Sequence, residues 1–246
     1  LIQYPVFKRG AAIGVTATSS GVKPELHPLL RKAKERMEKR GYRIVLGETV
    51  WTQEKAKSTS AEKRAAEWMK MMENDAIDLI FPPWGGELLI EILEHIDFDK
   101  IKTKWVLGYS DTSTLLLAMT LKTGIATAHG TNFIDLRGEE TDETTAMWEK
   151  VLSTETGGSI TQRSSQKYQR SWQRNDSPRV FSPRVFHLTE ETRWKTVTGQ
   201  PEILGKIAGR LDRRHPAFDR HPLRRCPGVQ GKASARRTDP LVHGKL

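Results

Sequence analysis

"WVLGYSDTSTLLLAM", residues 105–119, places a Gly-Tyr-Ser-Asp turn between a short apolar run and a longer apolar stretch without turn residues. The first run reads as a buried strand and the second as a helix, so Ser110 stands on a strand-to-helix junction. Working back along the chain, the same unit recurs. "PPWGG" (82–86) follows the strand-like "AIDLIF" (76–81) and precedes "ELLIEILEHI" (87–96), which reads as a helix. Ala65, Trp68, Met69 and Met72 recur at i, i+3, i+4 and i+7, the spacing of a helix face turned to a core. "YRIVLG" reads as a strand, and Leu29 to Lys39 as a charged amphipathic helix closed by Gly41. "AAIGV" (11–15) opens the series as a strand running into the small polar turn "TATSSG".

The order β-α-β-α-β-α predicts an α/β fold: a mostly parallel sheet with helices on both faces and ligands beyond the carboxyl ends of its strands. Both "PPWGG" and "GYSD" fall at such ends. Residues 1–152 are therefore expected to form an amino-terminal α/β domain. The polar, turn-rich stretch 153–185 reads as a linker, and 186–210 as the start of an incomplete β-rich carboxyl-terminal domain. Residues 211–246 have neither helical nor strand periodicity and are expected to be disordered.

Composition narrows the function. The formal charge is +10, but residues 211–246 hold nine Lys/Arg against three Asp/Glu, net +6, which leaves only +4 for the rest. The Arg pairs beginning at 213, 224 and 236 have no aromatic platform and no recognition-helix pattern, which argues against nucleic acid as partner. No run of about 18 apolar residues is present, and the amino-terminal stretch lacks the features of a signal peptide, so a cytoplasmic protein without membrane attachment is expected. The single cysteine, Cys226, excludes an internal disulfide and a cysteine-rich metal site.

A serine hydroxyl becomes a nucleophile when a base takes its proton and donors await the oxyanion. A strand–Ser–helix turn exposes the hydroxyl and aims unpaired helix N–H groups at the same place, with the Asp111 N–H as first oxyanion donor. Gly85 and Gly86 let backbone approach closely and offer a second. G-x-S-x-G is half matched, because Thr112 stands where the second glycine would be. Taken alone, Ser110 reads first as a plain helix cap and only second as a nucleophile.

"IGVTATSSG", "PPWGGELLIEIL", "VLGYSDTSTLL", "ATAHGTNFIDL", "SSQKYQRSW" and "FHLTEETRWKTVTG" occur in this order. Over residues 8 to 210 the chain resembles the LD-carboxypeptidase family of serine peptidases, and within it the microcin C self-immunity branch. The resemblance implies Ser110 as nucleophile, amides of Asp111 and Gly86 as oxyanion hole, and Trp84, Gly85 and His129 around the substrate. It implies hydrolysis of an amide bond near a free carboxyl terminus, in a small peptide or peptidyl-nucleotide, with no metal and no cofactor. A homodimer, common in that family, is carried as an open expectation. One small departure is that the opening motif usually has a proline where this chain has Thr18 or its neighbour.

The larger departure lies at the end. The family's triad is Ser-Glu-His, with the last two in the carboxyl-terminal domain, where a "GRLIGGC" segment should follow "ILGKIAGR". Here it becomes "GRLDRRH", no Glu follows Glu202, and His215, His221 and His243 match no family motif. A reading frame displaced by one nucleotide near Leu211 would account for this: with codons chosen freely, the tail can then restore "GRLIGG" and end in "HWYMENCE". "SPRVF" also occurs in tandem, at 177–181 and 182–186, as a short duplication would leave it. The expectation is a truncated or frameshifted gene, and Leu1 in place of Met likewise suggests a fragment or an unusual start codon. The chain is then an inactive member of a hydrolase family; a ligand-binding or interaction module without turnover is the alternative.

Overall fold

The computed structural model describes residues 2–155, 157–170 and 184–193. Five strands form one parallel sheet: β1 (Ala12–Val15), β2 (Arg43–Leu46), β3 (Leu79–Phe81), β4 (Trp105–Gly108) and β5 (Ala128–His129). Their spatial order is β2-β1-β3-β4-β5. The chain thus turns one way from β1 and the other way from β2, which puts a topological switch between β1 and β3, where open α/β sheets bind ligands. β1, β3 and β4 are buried along their whole length, as a sheet covered on both faces requires.

Successive residues of each strand feed opposite layers. Leu79 and Phe81 pack with Trp105 and Leu107 in one core, while Ile80 and Val106 pack in the other. The first layer contains α1 (His27–Lys39), which buries Leu29, Leu30, Ala33 and Met37, together with Phe133, Trp148 and Leu152. The second contains α2 (Ala61–Glu73) and α3 (Thr112–Thr123). Two short helices, α4 (Glu143–Ala146) and α5 (Trp148–Leu152), follow the sheet.

Caps set the helix boundaries. Gly41 adopts φ +90°, and bonds from Gly41 N–H to the Glu38 carbonyl and from Tyr42 N–H to the Met37 carbonyl close α1 in a Schellman-type turn. The Ser60 hydroxyl accepts the Lys63 N–H to open α2. The buried face of α2 is Arg64, Ala65, Trp68, Met71 and Met72; Met69 is only half-buried.

One element differs in kind from the expectation. Residues Leu89–His95 form a 3-10 helix, not the α-helix that 87–96 suggests. The Leu88 carbonyl, which would start an α-helical ladder, accepts instead from Arg64 and from the Glu91 N–H, and the Leu89 N–H is taken by Asp111. The segment is tied down at its start by partners far away in sequence, and it winds tightly.

β6 (Lys167–Tyr168), in the stretch read as a linker, pairs antiparallel with β7 (Glu190–Glu191), in the stretch read as the start of the carboxyl-terminal domain. The tandem "SPRVF" up to Pro183 and everything from residue 194, including the aberrant tail, lie outside the described residues. Among the described residues no helix is long and apolar enough to cross a membrane.

Candidate active site

The loops after β1, β3 and β4 meet at the carboxyl edge of the sheet. Ser110 occupies the turn from β4 to α3 with φ +66°, a left-handed conformation that a non-glycine residue seldom adopts and that costs on the order of 1–2 kcal/mol. Its carbonyl accepts the Ser113 N–H at 3.0 Å, so the turn leads directly into the helix. On the other side, the Tyr109 N–H donates to Oδ1 of the buried Asn132 at 3.1 Å. Burial first, and the neighbouring Asp135 charge second, push the Tyr109 phenol above its ordinary range, so it stays protonated.

Gly85 is the neighbour of the Ser110 side chain. A β-carbon built on it would lie 2.8 Å from Ser110 Cβ and 3.1 Å from the Asp111 nitrogen, which leaves room for hydrogen alone. Gly86 faces elsewhere: its open side meets the Ser19 and Ser20 hydroxyls. Trp84 is half-buried, and its indole N–H donates to the Gly21 carbonyl at 2.9 Å, tying the loop after β3 to the loop after β1. His129 pairs in register with Gly108, one strand over and two residues before Ser110. Solvent reaches His129, yet the protein packed around it holds its imidazole below the ordinary value, so it is neutral at pH 7.

Three contributors escape a reading of the sequence. The Asp111 carboxylate accepts the Ser19 hydroxyl at 2.6 Å and the Leu89 N–H at 2.8 Å, which makes it a fastener between three loops. Ser19 is buried and also accepts the Leu88 N–H at 3.2 Å. Arg64, fully buried, donates to the Thr18 and Leu88 carbonyls beneath them. Its place on the same helix face as Trp68 and Met71 is the signal that could have found it.

Among the described residues no hydrogen bond engages the Ser110 hydroxyl, and no cluster of three His, Cys, Asp or Glu side chains is placed to hold a metal ion. Among the described residues the site offers a presented hydroxyl, helix N–H groups and a close backbone, components that nucleophilic acyl transfer uses.

Residues 13–130 match the LD-carboxypeptidase N-terminal domain. Over this stretch the chain is similar to the LD-carboxypeptidase family. The microcin C7 self-immunity protein MccF of Escherichia coli is 27% identical over 164 residues, which cover 65% of this chain and 48% of MccF. A Vibrio cholerae protein named as a carboxypeptidase is 26% identical over 207 residues, 81% of this chain and 59% of its own. The chain spans about half the length of the curated relatives it matches. Among solved structures, wild-type MccF in the apo state superposes with a TM-score of 0.67 at 23% identity, covering 77% of this chain and 58% of that one. An MccF-like protein of Streptococcus pneumoniae in complex with AMP gives 0.63 at 23% identity, covering 74% and 55%. At that identity these likenesses establish the fold, and the likeness to the family rests on the matched domain.

Proposed function

We propose that this chain carries the nucleophile-bearing part of a serine amidase of the carboxypeptidase type, with Ser110 as nucleophile and the Asp111 amide as its first oxyanion donor. The observation that carries this reading is the φ of +66° at Ser110, on the strand-to-helix turn and against Gly85. Strain of that kind persists where the surroundings enforce it, and it clusters at functional turns. Gly86 supplies the second donor by resemblance; its N–H belongs to the same loop as Gly85. By the same resemblance Trp84, Gly85 and His129 border the substrate, and of these Gly85 packs directly against Ser110.

The substrate class follows from the relatives. MccF has been solved with aspartyl sulfamoyl adenosine and the Streptococcus pneumoniae protein with AMP. A small peptide or peptidyl-nucleotide, cleaved at an amide near its free carboxyl terminus, is the substrate inferred here. Hydrolysis would proceed by attack of the Ser110 oxygen on the amide carbon, transfer of the hydroxyl proton to a base, loss of the amine and release of the acyl group by water.

The present sequence has no Glu beyond Glu202 and no family-matched histidine in its tail, and on this reading these 246 residues by themselves turn over negligible substrate. The test is to supply the missing half, by a gene with the displaced nucleotide removed, and to assay LD-tetrapeptides and peptidyl-nucleotides. Hydrolysis abolished by Ser110→Ala supports the reading. Hydrolysis indifferent to Ser110→Ala sinks it, and tight ligand binding without hydrolysis in the restored chain favours a binding module instead.

A further inference from the structure

Beneath the Ser110 turn lies a charged pair that plays no part in the hydrolysis just described. Arg64 is held out of water on α2. Its Nη1 donates to the Thr18 carbonyl at 2.8 Å and the Leu88 carbonyl at 2.9 Å, its Nε to the Thr59 carbonyl at 3.0 Å, and its Nη2 to Glu91 at 2.5 Å. One residue further along each of two of these loops, the grip changes hands. The Ser19 hydroxyl and the Leu89 N–H both donate to Oδ2 of Asp111, and the Leu88 N–H donates to the Ser19 oxygen. The dipeptides Thr18-Ser19 and Leu88-Leu89 are thus held from below by a guanidinium and from above by a carboxylate. The two charges sense each other: Asp111 and Glu91 help the guanidinium keep its proton against burial.

Asp111 is the chain neighbour of Ser110, and its own carbonyl accepts the Thr114 N–H at 3.0 Å. Ser110 is therefore bracketed. On one side the Tyr109 N–H is fixed to Asn132, and on the other Asp111 is fixed by side chain and backbone together. A left-handed serine whose neighbours are held in this way, and whose own carbonyl accepts the Ser113 N–H, has little freedom to relax to negative φ. Hydrogen bonds to an ionised acceptor are the strong kind, roughly twice a neutral pair, which is what such a restraint needs.

We propose that the Asp111 carboxylate and Arg64 are positioning groups: together they clamp the loops after β1 and β3 and lock Ser110 in its left-handed conformation. The value of that lock to the Ser110 hydroxyl rests on the nucleophile role proposed above; the conformational claim does not.

The experiment uses the full chain, with 13C-labelled serine, as wild type, Asp111→Asn, Ser19→Ala and Arg64→Lys. Ser110 13Cα and 13Cβ resonances, assigned by Ser110→Ala, report its backbone; thermal melts report folding; the rate of labelling by a fluorophosphonate reports the hydroxyl. Asn at 111 keeps the acceptor and loses the charge, and Lys at 64 keeps the charge and loses the fork that reaches both carbonyls. The expected result is movement or doubling of the Ser110 resonances in each variant that retains a cooperative melt, with labelling at least tenfold slower wherever the wild type labels. Should Arg64→Lys fail to fold, Asp111→Asn and Ser19→Ala carry the test. Unmoved Ser110 resonances in folded Asp111→Asn and Ser19→Ala overturn the lock. Moved resonances in a protein whose wild type never labels uphold the lock and agree with a serine that has no base; moved resonances with unchanged labelling overturn the claim that the lock serves the hydroxyl.

Discussion

Gly85 lies so close to Ser110 that a β-carbon on it would stand 2.8 Å from the Ser110 Cβ, 2.9 Å from its Oγ and 3.1 Å from the Asp111 nitrogen. The loop after β3 is thereby pressed on the β4–α3 turn, and neither can shift without the other. Two of these atoms belong to the backbone or sit next to it, so the contact has no flexible end that could swing aside.

Gly85→Ala is accordingly expected to cost about 1–3 kcal/mol, the range for overpacking a well-filled site. Urea denaturation should show a lower midpoint with an unchanged slope. An unaltered midpoint would mean that the two loops are free to separate.

Ser110 itself gives a second expectation. Glycine relieves a left-handed backbone, whereas alanine keeps the strain and removes the hydroxyl. Ser110→Gly should be more stable than Ser110→Ala by about 1 kcal/mol, or roughly 2–4 °C in Tm for a chain of this size. Equal melting temperatures would remove the argument that this turn is strained for a purpose.

The central strands of the sheet are legible in the sequence because a parallel sheet buried on both faces needs continuous apolar runs, and Ala12–Val15, Leu79–Phe81 and Trp105–Gly108 supply them; the edge strand Ala128–His129, only partly buried, has no such run and is not legible. The junction at Ser110 is legible for the same reason. Its φ is not, since nothing in a serine announces a left-handed backbone. The 3-10 winding of Leu89–His95 is also hidden, because it follows from bonds to Asp111 and Arg64, and local pattern carries no trace of them. Arg64 reads as one more charged residue on a helix until its spacing from Trp68 and Met71 is noticed.

That buried arginine should be costly to remove. Arg64→Met strips donors from the Thr18, Leu88 and Thr59 carbonyls and leaves Glu91 to Lys57 alone, and loss of one member of a buried pair costs about 3–5 kcal/mol. Glu91→Gln should cost clearly less, because Glu91 is 33% exposed and its replacement can still accept from Arg64. Equal losses in the two variants would show that the ion pair matters and the carbonyl bonds do not.

His129 sets a pH dependence whose sign is fixed by its environment. Burial lowers its folded-state pKa, so the unfolded chain binds the proton more readily. Its contribution to stability is complete above the unfolded value of about 6.5 and is lost as pH falls from there through the folded pKa. Stability measured from pH 8 to pH 5 should decline less in His129→Gln than in the wild type. A parallel decline would assign the acid sensitivity to other groups.

The last expectation concerns turnover, and it rests on the proposal that these 246 residues hold no counterpart of the family's triad Glu and His. A serine with no base keeps its proton at neutral pH, and oxyanion stabilisation alone recovers only part of a triad's rate. This chain should show negligible hydrolysis of LD-tetrapeptides and peptidyl-nucleotides. Removing one nucleotide near codon 211 should return the glutamate and the histidine of the family's carboxyl-terminal domain, and with them an activity that Ser110→Ala abolishes. If the present chain already hydrolyses such substrates and Ser110→Ala stops it, a base is at work within this sequence. His129, neutral at pH 7 and beside Gly108 on the adjoining strand, is then the first to replace, and loss of activity in His129→Gln would identify it.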